Sequence, residues 1–431
     1  MSKLSFNDAR HLVSRTGIGV EWDTIQRFQG LTRQQAINHL LKNRNNNLPR
    51  PPNMSPWSKT VALMSNMRRK KMVKRISRVE GKKLQDWWVK HLINTRSPFL
   101  ERMTLFWHNH FPSSIQKTQQ VNMLHQQNLL FRKHALGNFS QMLHAIAKDP
   151  AMLVYLDGYV STKEEPNENF ARELLELFTL GIGHYKENDM REAARAFTGW
   201  GIDDRSGRFV NRANNHDNGI KTFLGKRGNF KGEDIINILL KHPRTAETIA
   251  TKMWYEFISI SKPKQSVIKQ WAQKFRGSNY DISTLVNTVL NSPDFWAQQN
   301  RGALIKTPIE LTIGTLRSLP YSSAHTDLAH NLNIMGQGVF AHPSVKGWDG
   351  GTSWISTQSL LRRNSMMNNL TKGNLNERKN RGGIAQKLPD LNPAQMQAWL
   401  LAIPPLLAAP QKPGKQRLAR ALVLDPSYQV N

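Results

Sequence analysis

Along almost the whole chain a capping residue is followed by apolar side chains at three- and four-residue spacing, whereas stretches of strict alternation are few and short. That pattern predicts a mainly α protein. Ser5 leads into Phe6 to Ser14, Thr32 into Arg33 to Lys42, Ser97 with Pro98 into Phe99 to His108, and Asn167 into Phe170 to Leu180 before Gly181. Each start has an N-cap side chain that satisfies free backbone N–H groups, or an N1 proline that lacks one. The exception lies between Gly207 and Leu224. There Arg208-Phe209-Val210 and Lys221-Thr222-Phe223-Leu224 flank an Asn/Asp/Gly-rich stretch, which predicts one short β-hairpin or a long loop insertion near 207–224.

The 431 residues include 12 Trp, 17 Phe and no cysteine, and 39% are hydrophobic. Such a chain can bury a sizeable core and is not a disordered tail. Disulfides, thiolate metal sites and cysteine nucleophiles are excluded. Polar or proline-rich breaks at Asn43 to Ser55 and Lys372 to Gly383 divide a single large multi-helix domain into three parts. These are an N-terminal helical cap (1–50), a main body (51–371) and a C-terminal helical extension (372–431). No apolar stretch follows Lys3, so no signal peptide is expected. The best apolar run, Leu400 to Ala409, is broken by Pro404 and Pro405, so no transmembrane segment is expected either. A soluble cytoplasmic protein follows, or one exported while bound to a signal-bearing partner.

Charge is uneven within a total of +29. Pro51 to Leu100 holds 12 Lys plus Arg against 2 acids, concentrated from Arg68-Arg69-Lys70-Lys71 through Lys74, Arg75, Arg78, Lys82 and Lys83. Read blandly this is a solvated helix surface; read sharply it is a phosphate-tracking site giving weak, non-specific nucleic acid or other polyanion binding. Trp87 and Trp88 follow, either to stack on bases or to cover a core edge. Ala151 to Trp200 reverses the balance, with 9 acids and 5 Lys plus Arg. On a helical wheel Phe170, Leu174, Leu177 and Phe178 share one face, with Glu168, Arg172, Glu173 and Glu176 on the other. Glu168 to Arg172 and Arg172 to Glu176 are i,i+4 pairs. Arg191 and Arg195 have the same spacing on the next predicted helix, so a helical hairpin across Gly181 and Gly183 would interleave the two sets. The outcome is an ion network, or an acid/base or cation site built from the same carboxylates.

His108 and His110 are two residues apart, which separates them on a helix and aligns them on an extended segment. They chelate a divalent metal only if the helix ends before them; otherwise they are hydrogen-bonded core histidines. His216 and Asp217 lie in the least helical part of the chain, beside Lys221, as general base, metal ligand and anion anchor. Alternatively Asp217 caps a turn and His216 bonds to backbone. A loop histidine there should contribute little to packing. Neither Met335-Gly336-Gln337-Gly338 nor Gly347-Trp348-Asp349-Gly350-Gly351 is a nucleotide loop. Pro343 to Trp354 reads instead as an aromatic loop packed on the body, with Lys346 as an anion contact.

Several strings together resemble the bacterial domain-of-unknown-function family 1800. They are Pro166 to Gly181 with Arg191 to Trp200, Phe106 to Phe111, His134 to Phe139, Lys148 to Leu153, His216 to Gly219 with Lys221, and Val345 to Trp348. The resemblance implies no reaction, cofactor or catalytic residue. It does imply a partner, because members are often encoded beside a family similar to the sulfatase and alkaline-phosphatase fold. Taken together, the residues favour a hydrolytic, metal-assisted enzyme acting on an anionic substrate. Glu168, Arg172, Glu173, His216 and Asp217 would be catalytic, and His108 and His110 metal-binding. The alternatives are a non-catalytic accessory of that sulfatase- or phosphatase-like partner, and a polyanion-binding module.

Overall fold

A side chain closes the first turn of several helices, those after Ser5, Thr32 and Asn167 among them. In the computed structural model, which describes residues 3–45, 47–56, 67–319, 321, 327–372, 388–408, 410 and 414–431, α1 (Phe6–Thr16) begins on a reciprocal Ser5–Asp8 capping box. After α2 (Trp22–Phe28), a Thr32–Gln35 box opens α3 (Arg33–Lys42). There follow α4 (Met67–Asn94), α5 (Pro98–His110), α6 (Ile115–Thr118), α7 (Val121–His134), α8 (Phe139–Ala147) and α9 (Pro150–Tyr155). α10 (Glu168–Glu173) runs into a π-helical turn, Leu174–Thr179, and α11 (Glu187–Ala196) packs back against it. The second half holds α12 (Gly232–Lys241), α13 (Pro243–Phe257), α14 (Gln265–Gly277), α15 (Ile282–Leu290), α16 (Pro293–Trp296), α17 (Pro308–Ser318), α18 (Leu328–Ile334), α19 (Thr357–Lys372), α20 (Pro393–Leu400) and α21 (Lys415–Leu424). The protein is mainly α. The polar break beyond Lys372, and the side chains of Arg68 and Arg69, lie outside the described residues. No described helix is long and apolar enough to cross a membrane.

Both segments expected to pair across residues 207–224 are extended, but not with each other. β2 (Phe209–Asn211) pairs antiparallel with β1 (Trp200–Ile202), and β3 (Lys221–Phe223) with β4 (Lys226–Gly228). Trp200 and Ile202 are already buried against the helices, so β2 is recruited upstream rather than across the polar loop.

The buried apolar residues form one cluster reaching from Leu4 to Tyr428. Around the end of α5 it is aromatic: Phe111 meets Phe178 edge-on at 5.0 Å and stacks on Phe131 at 6.0 Å, while Trp107 lies 5.6 Å from Phe139. Two adjacent charges on α5 fasten it deep inside. Glu101 pairs with Arg132 and accepts from Trp88 Nε1 at 3.2 Å, with His91 Nε2 at 3.0 Å. Arg102 pairs with Glu256 at 2.9 Å and Glu310 at 2.6 Å. Arg15, fully buried, donates to the carbonyls of Phe257 and Ile258 at 3.1 Å and of Asn431 at 3.0 Å.

Burial holds five histidines neutral. His108 and His110 are pushed well below the ordinary imidazole value, and His11, His91 and His342 to about 3, 4 and 4. The unfolded chain therefore takes up protons that the folded chain refuses. Stability should be full above about pH 6.5 and fall as pH drops toward about 4, by roughly 1.4 kcal/mol per pH unit for each titrating histidine. Urea midpoints measured across that window check this; a flat profile would show that the histidines are not buried neutral.

Candidate active site

Helix α5 does not stop before its histidines. It runs through His110, so the two rings diverge. His108 is enclosed by Trp88, Phe131 and Phe340, and its Nε2 lies 3.0 Å from Asn128 Nδ2. His110 turns toward α13, where its Nδ1 lies 2.7 Å from Lys252 Nζ. The structure does not bring the expected metal pair together, and among the described residues no three His, Asp or Glu side chains stand where they could share a metal ion. An ammonium only donates, so Lys252 makes Nδ1 the acceptor and leaves the proton on Nε2. That Nε2 is buried, with no partner in good hydrogen-bond geometry among the described residues. Desolvation first, and the Lys252 charge second, keep the ring neutral, against a smaller opposing pull from the Phe178 carbonyl.

Lys252 also donates to the Leu177 carbonyl at 3.1 Å. The π turn explains why that oxygen is free: the N–H groups of both Leu180 and Gly181 return to Leu175, at 2.9 and 3.1 Å. An ammonium at this helix end meets the negative pole of the dipole. Burial pushes the amine down to about 8.

Beside this pair opens a cleft of about 510 Å³, lined by Phe106, Asn109, His110, Lys252, Tyr255, Glu256, Ile260, Lys346, Gly350, Gly351 and Thr352. The aromatic loop forms its outer wall. Asn109 Oδ1 accepts from the Trp348 N–H at 2.6 Å, and Trp348 stacks on His342 at 4.2 Å. Gly347, at φ +91°, lets the loop come this close, since a Cβ there would collide with Asn109 Oδ1 and its carbonyl. Lys346 is exposed and makes no ion pair among the described residues. Glu173, one turn before Leu177, is buried and has no hydrogen-bond partner among the described residues. Burial and the Glu176 charge raise its pKa, opposed by Arg172 and Lys346. A larger cavity of about 950 Å³ lies elsewhere, beside α2 and the end of α4. There Arg317 donates to Glu21 at 3.0 Å and to the carbonyls of Leu92, Ile93 and Thr95, which makes it a joint between elements.

The other expected site residues stand apart from the cleft. Glu168 lies 3.6 Å from Arg172 and 3.8 Å from Arg191, and Arg172 reaches Glu176 at 3.8 Å and Glu187 at 4.0 Å. This is the interleaved network across the α10–α11 hairpin, loose and half-exposed, where each pair is worth about 0–1 kcal/mol. Asp217 is gripped by Arg195 at 2.7 Å, and Arg195 also holds Glu192 at 2.9 Å. Lys221 Nζ is spent on the carbonyls of Asp217 and Gly219, at 2.6 and 3.0 Å. His216 is buried, with Nδ1 2.9 Å from the Thr198 carbonyl, which corrects the expectation of a loosely packed loop residue. None of these bonds links the 216–217 loop to Glu173 or His110. Sequence reasoning missed Lys252 and Asn109. Neither carries a local signal: Lys252 sits in an amphipathic helix and Asn109 between two histidines.

Replacing Lys252 with Ala leaves the His110 Nδ1 and the Leu177 carbonyl buried without a donor. It should cost about 2–3 kcal/mol in chemical denaturation, and Lys252→Arg should cost less. His216→Ala, which strands the Thr198 carbonyl, should lower stability by about 1–3 kcal/mol. An unchanged melting curve would return His216 to the list of free functional groups.

Comparison with curated proteins and with solved structures returned no match. A family model, described as a protein of unknown function (DUF1800), matches residues 11–430. The chain belongs to the DUF1800 family of proteins of unknown function.

Proposed function

We propose that this protein is a hydrolase acting on an anionic substrate in the cleft between α5, α13 and the 345–352 loop. The observation that supports this most is Glu173, a buried carboxyl with a raised pKa and no hydrogen-bond partner among the described residues; it is not itself a lining residue of the cleft, but it feels the charge of Lys346, which lines the cleft with His110 and Lys252. A carboxylate in that setting is a stronger base than one in water. Glu173 takes a proton from the attacking water and returns it to the leaving group as the scissile bond breaks. Lys346 and Lys252 neutralise the substrate's anionic group, and His110 Nε2–H offers a fixed donor to the charge that develops. Glu168 and Arg172 keep α10 in place, and Arg195 with Asp217 orders the neighbouring loop.

The test is turnover of chromogenic carboxylate, phosphate and sulfate esters by the purified chain, with and without added divalent ions. Glu173→Gln should reduce the rate by about 10²–10⁴-fold while leaving the melting temperature close to wild type. Activity should fall as pH drops through the raised Glu173 pKa, because the protonated acid no longer accepts a proton. Equal rates for Glu173→Gln and wild type would refute the assignment.

A further inference from the structure

The solvent face of α4 is cationic, but its centre is apolar. Val73, Ser77, Leu84 and Trp88 face the core, at 3%, 4%, 0% and 0% exposure. On the opposite side Met72, Arg75, Val79 and Lys83 follow at three- and four-residue spacing and make one stripe. Met72 and Val79 are each 51% exposed. Around them Lys71, Lys74, Arg75, Arg78 and Lys83 are exposed and make no ion pair among the described residues. Of the two acids on this stretch, Glu80 accepts from the Ser55 N–H and hydroxyl at 2.7–3.1 Å and Asp86 is held by Lys82 at 2.5 Å. From Lys71 to Lys83 the unneutralised face is about 18 Å long.

Two anionic partners fit the charge, and the side chains decide between them. A single-stranded nucleic acid needs exposed rings to stack on, but Trp87 and Trp88 are both buried and Trp87 Nε1 is tied to the Pro49 carbonyl at 3.0 Å. Against a duplex, Met72 and Val79 would sit on phosphates with nothing apolar to meet. An anionic bilayer surface offers charged headgroups and, a few ångströms deeper, hydrocarbon. We propose that this face of α4 docks on an anionic phospholipid surface, with the five cations at the headgroups and Met72 and Val79 inserted at the headgroup–acyl boundary. The helix lies on the membrane and does not cross it.

Vesicle sedimentation of the full chain tests the proposal, using phosphatidylcholine alone and with about one-third phosphatidylglycerol. Binding should require the anionic lipid and weaken with salt. Replacing Lys71, Lys74, Arg75 and Arg78 together with Gln should cut affinity by about 100-fold or more, since each surface cation contributes roughly fivefold. The deciding variant is Met72→Ser with Val79→Ser, which should lose about tenfold on anionic vesicles and keep its affinity for duplex DNA. Because all six side chains are exposed, circular dichroism and melting should match wild type. Vesicle binding unchanged in the Met72/Val79 variant would overturn the proposal, as would tighter binding to duplex DNA than to anionic vesicles.

Discussion

The arrangement of the whole molecule depends on two adjacent charges buried in one helix. Glu101 and Arg102 on α5 face opposite ways, one to Arg132 of α7, the other to Glu256 of α13 and Glu310 of α17. Breaking a buried pair from one side is strongly destabilising because the remaining charge has no water to return to. Each pair therefore fixes an angle between helices in a way that apolar packing alone does not. Two turns further along, the same helix presents Asn109 and His110, so the position of the cleft wall is inherited from these ion pairs, one member of which, Glu256, itself lines the cleft.

Helix starts were legible because capping is local chemistry. Ser5, Thr32 and Asn167 each cap the helix that the sequence predicts from them, and the Glu168–Arg172–Glu176 spacing translates directly into ion pairs. What was not legible is tertiary. Lys252 reads as an ordinary surface lysine of an amphipathic helix until His110 and Leu177 are brought to it from 142 and 75 residues away. Glu173 was grouped with Glu168 and Arg172, yet it lies about 100° beyond Arg172 around the helix, and only the packing reveals that this turns it inward. His216 and Asp217 were rightly seen as a charged knot in a loop. The same residues that make a plausible acid/base pair also satisfy the backbone of a tight turn, and sequence does not distinguish these outcomes.

The two halves of the functional reading draw on different physics. Around the cleft, burial does the work: it keeps the His110 imidazole neutral, lowers the Lys252 ammonium and raises the Glu173 carboxyl. On α4 the cations are exposed to water, and their effect is long-range, additive and sensitive to salt.

The π turn carries one more consequence, which concerns chain length rather than side chains. A π turn is an α-helix with one residue too many, and here the surplus lies between Glu173 and Gly181. Shortening the segment by one residue would let the ladder relax into α geometry at a gain in local hydrogen bonding. It would also swing everything on one side of the excision through about 100° relative to the other. Glu173 and the Leu177 carbonyl would then no longer keep their present orientation relative to each other. The segment therefore tolerates substitution far better than deletion, and its length, more than any single residue in it, keeps the Leu177 carbonyl turned to Lys252.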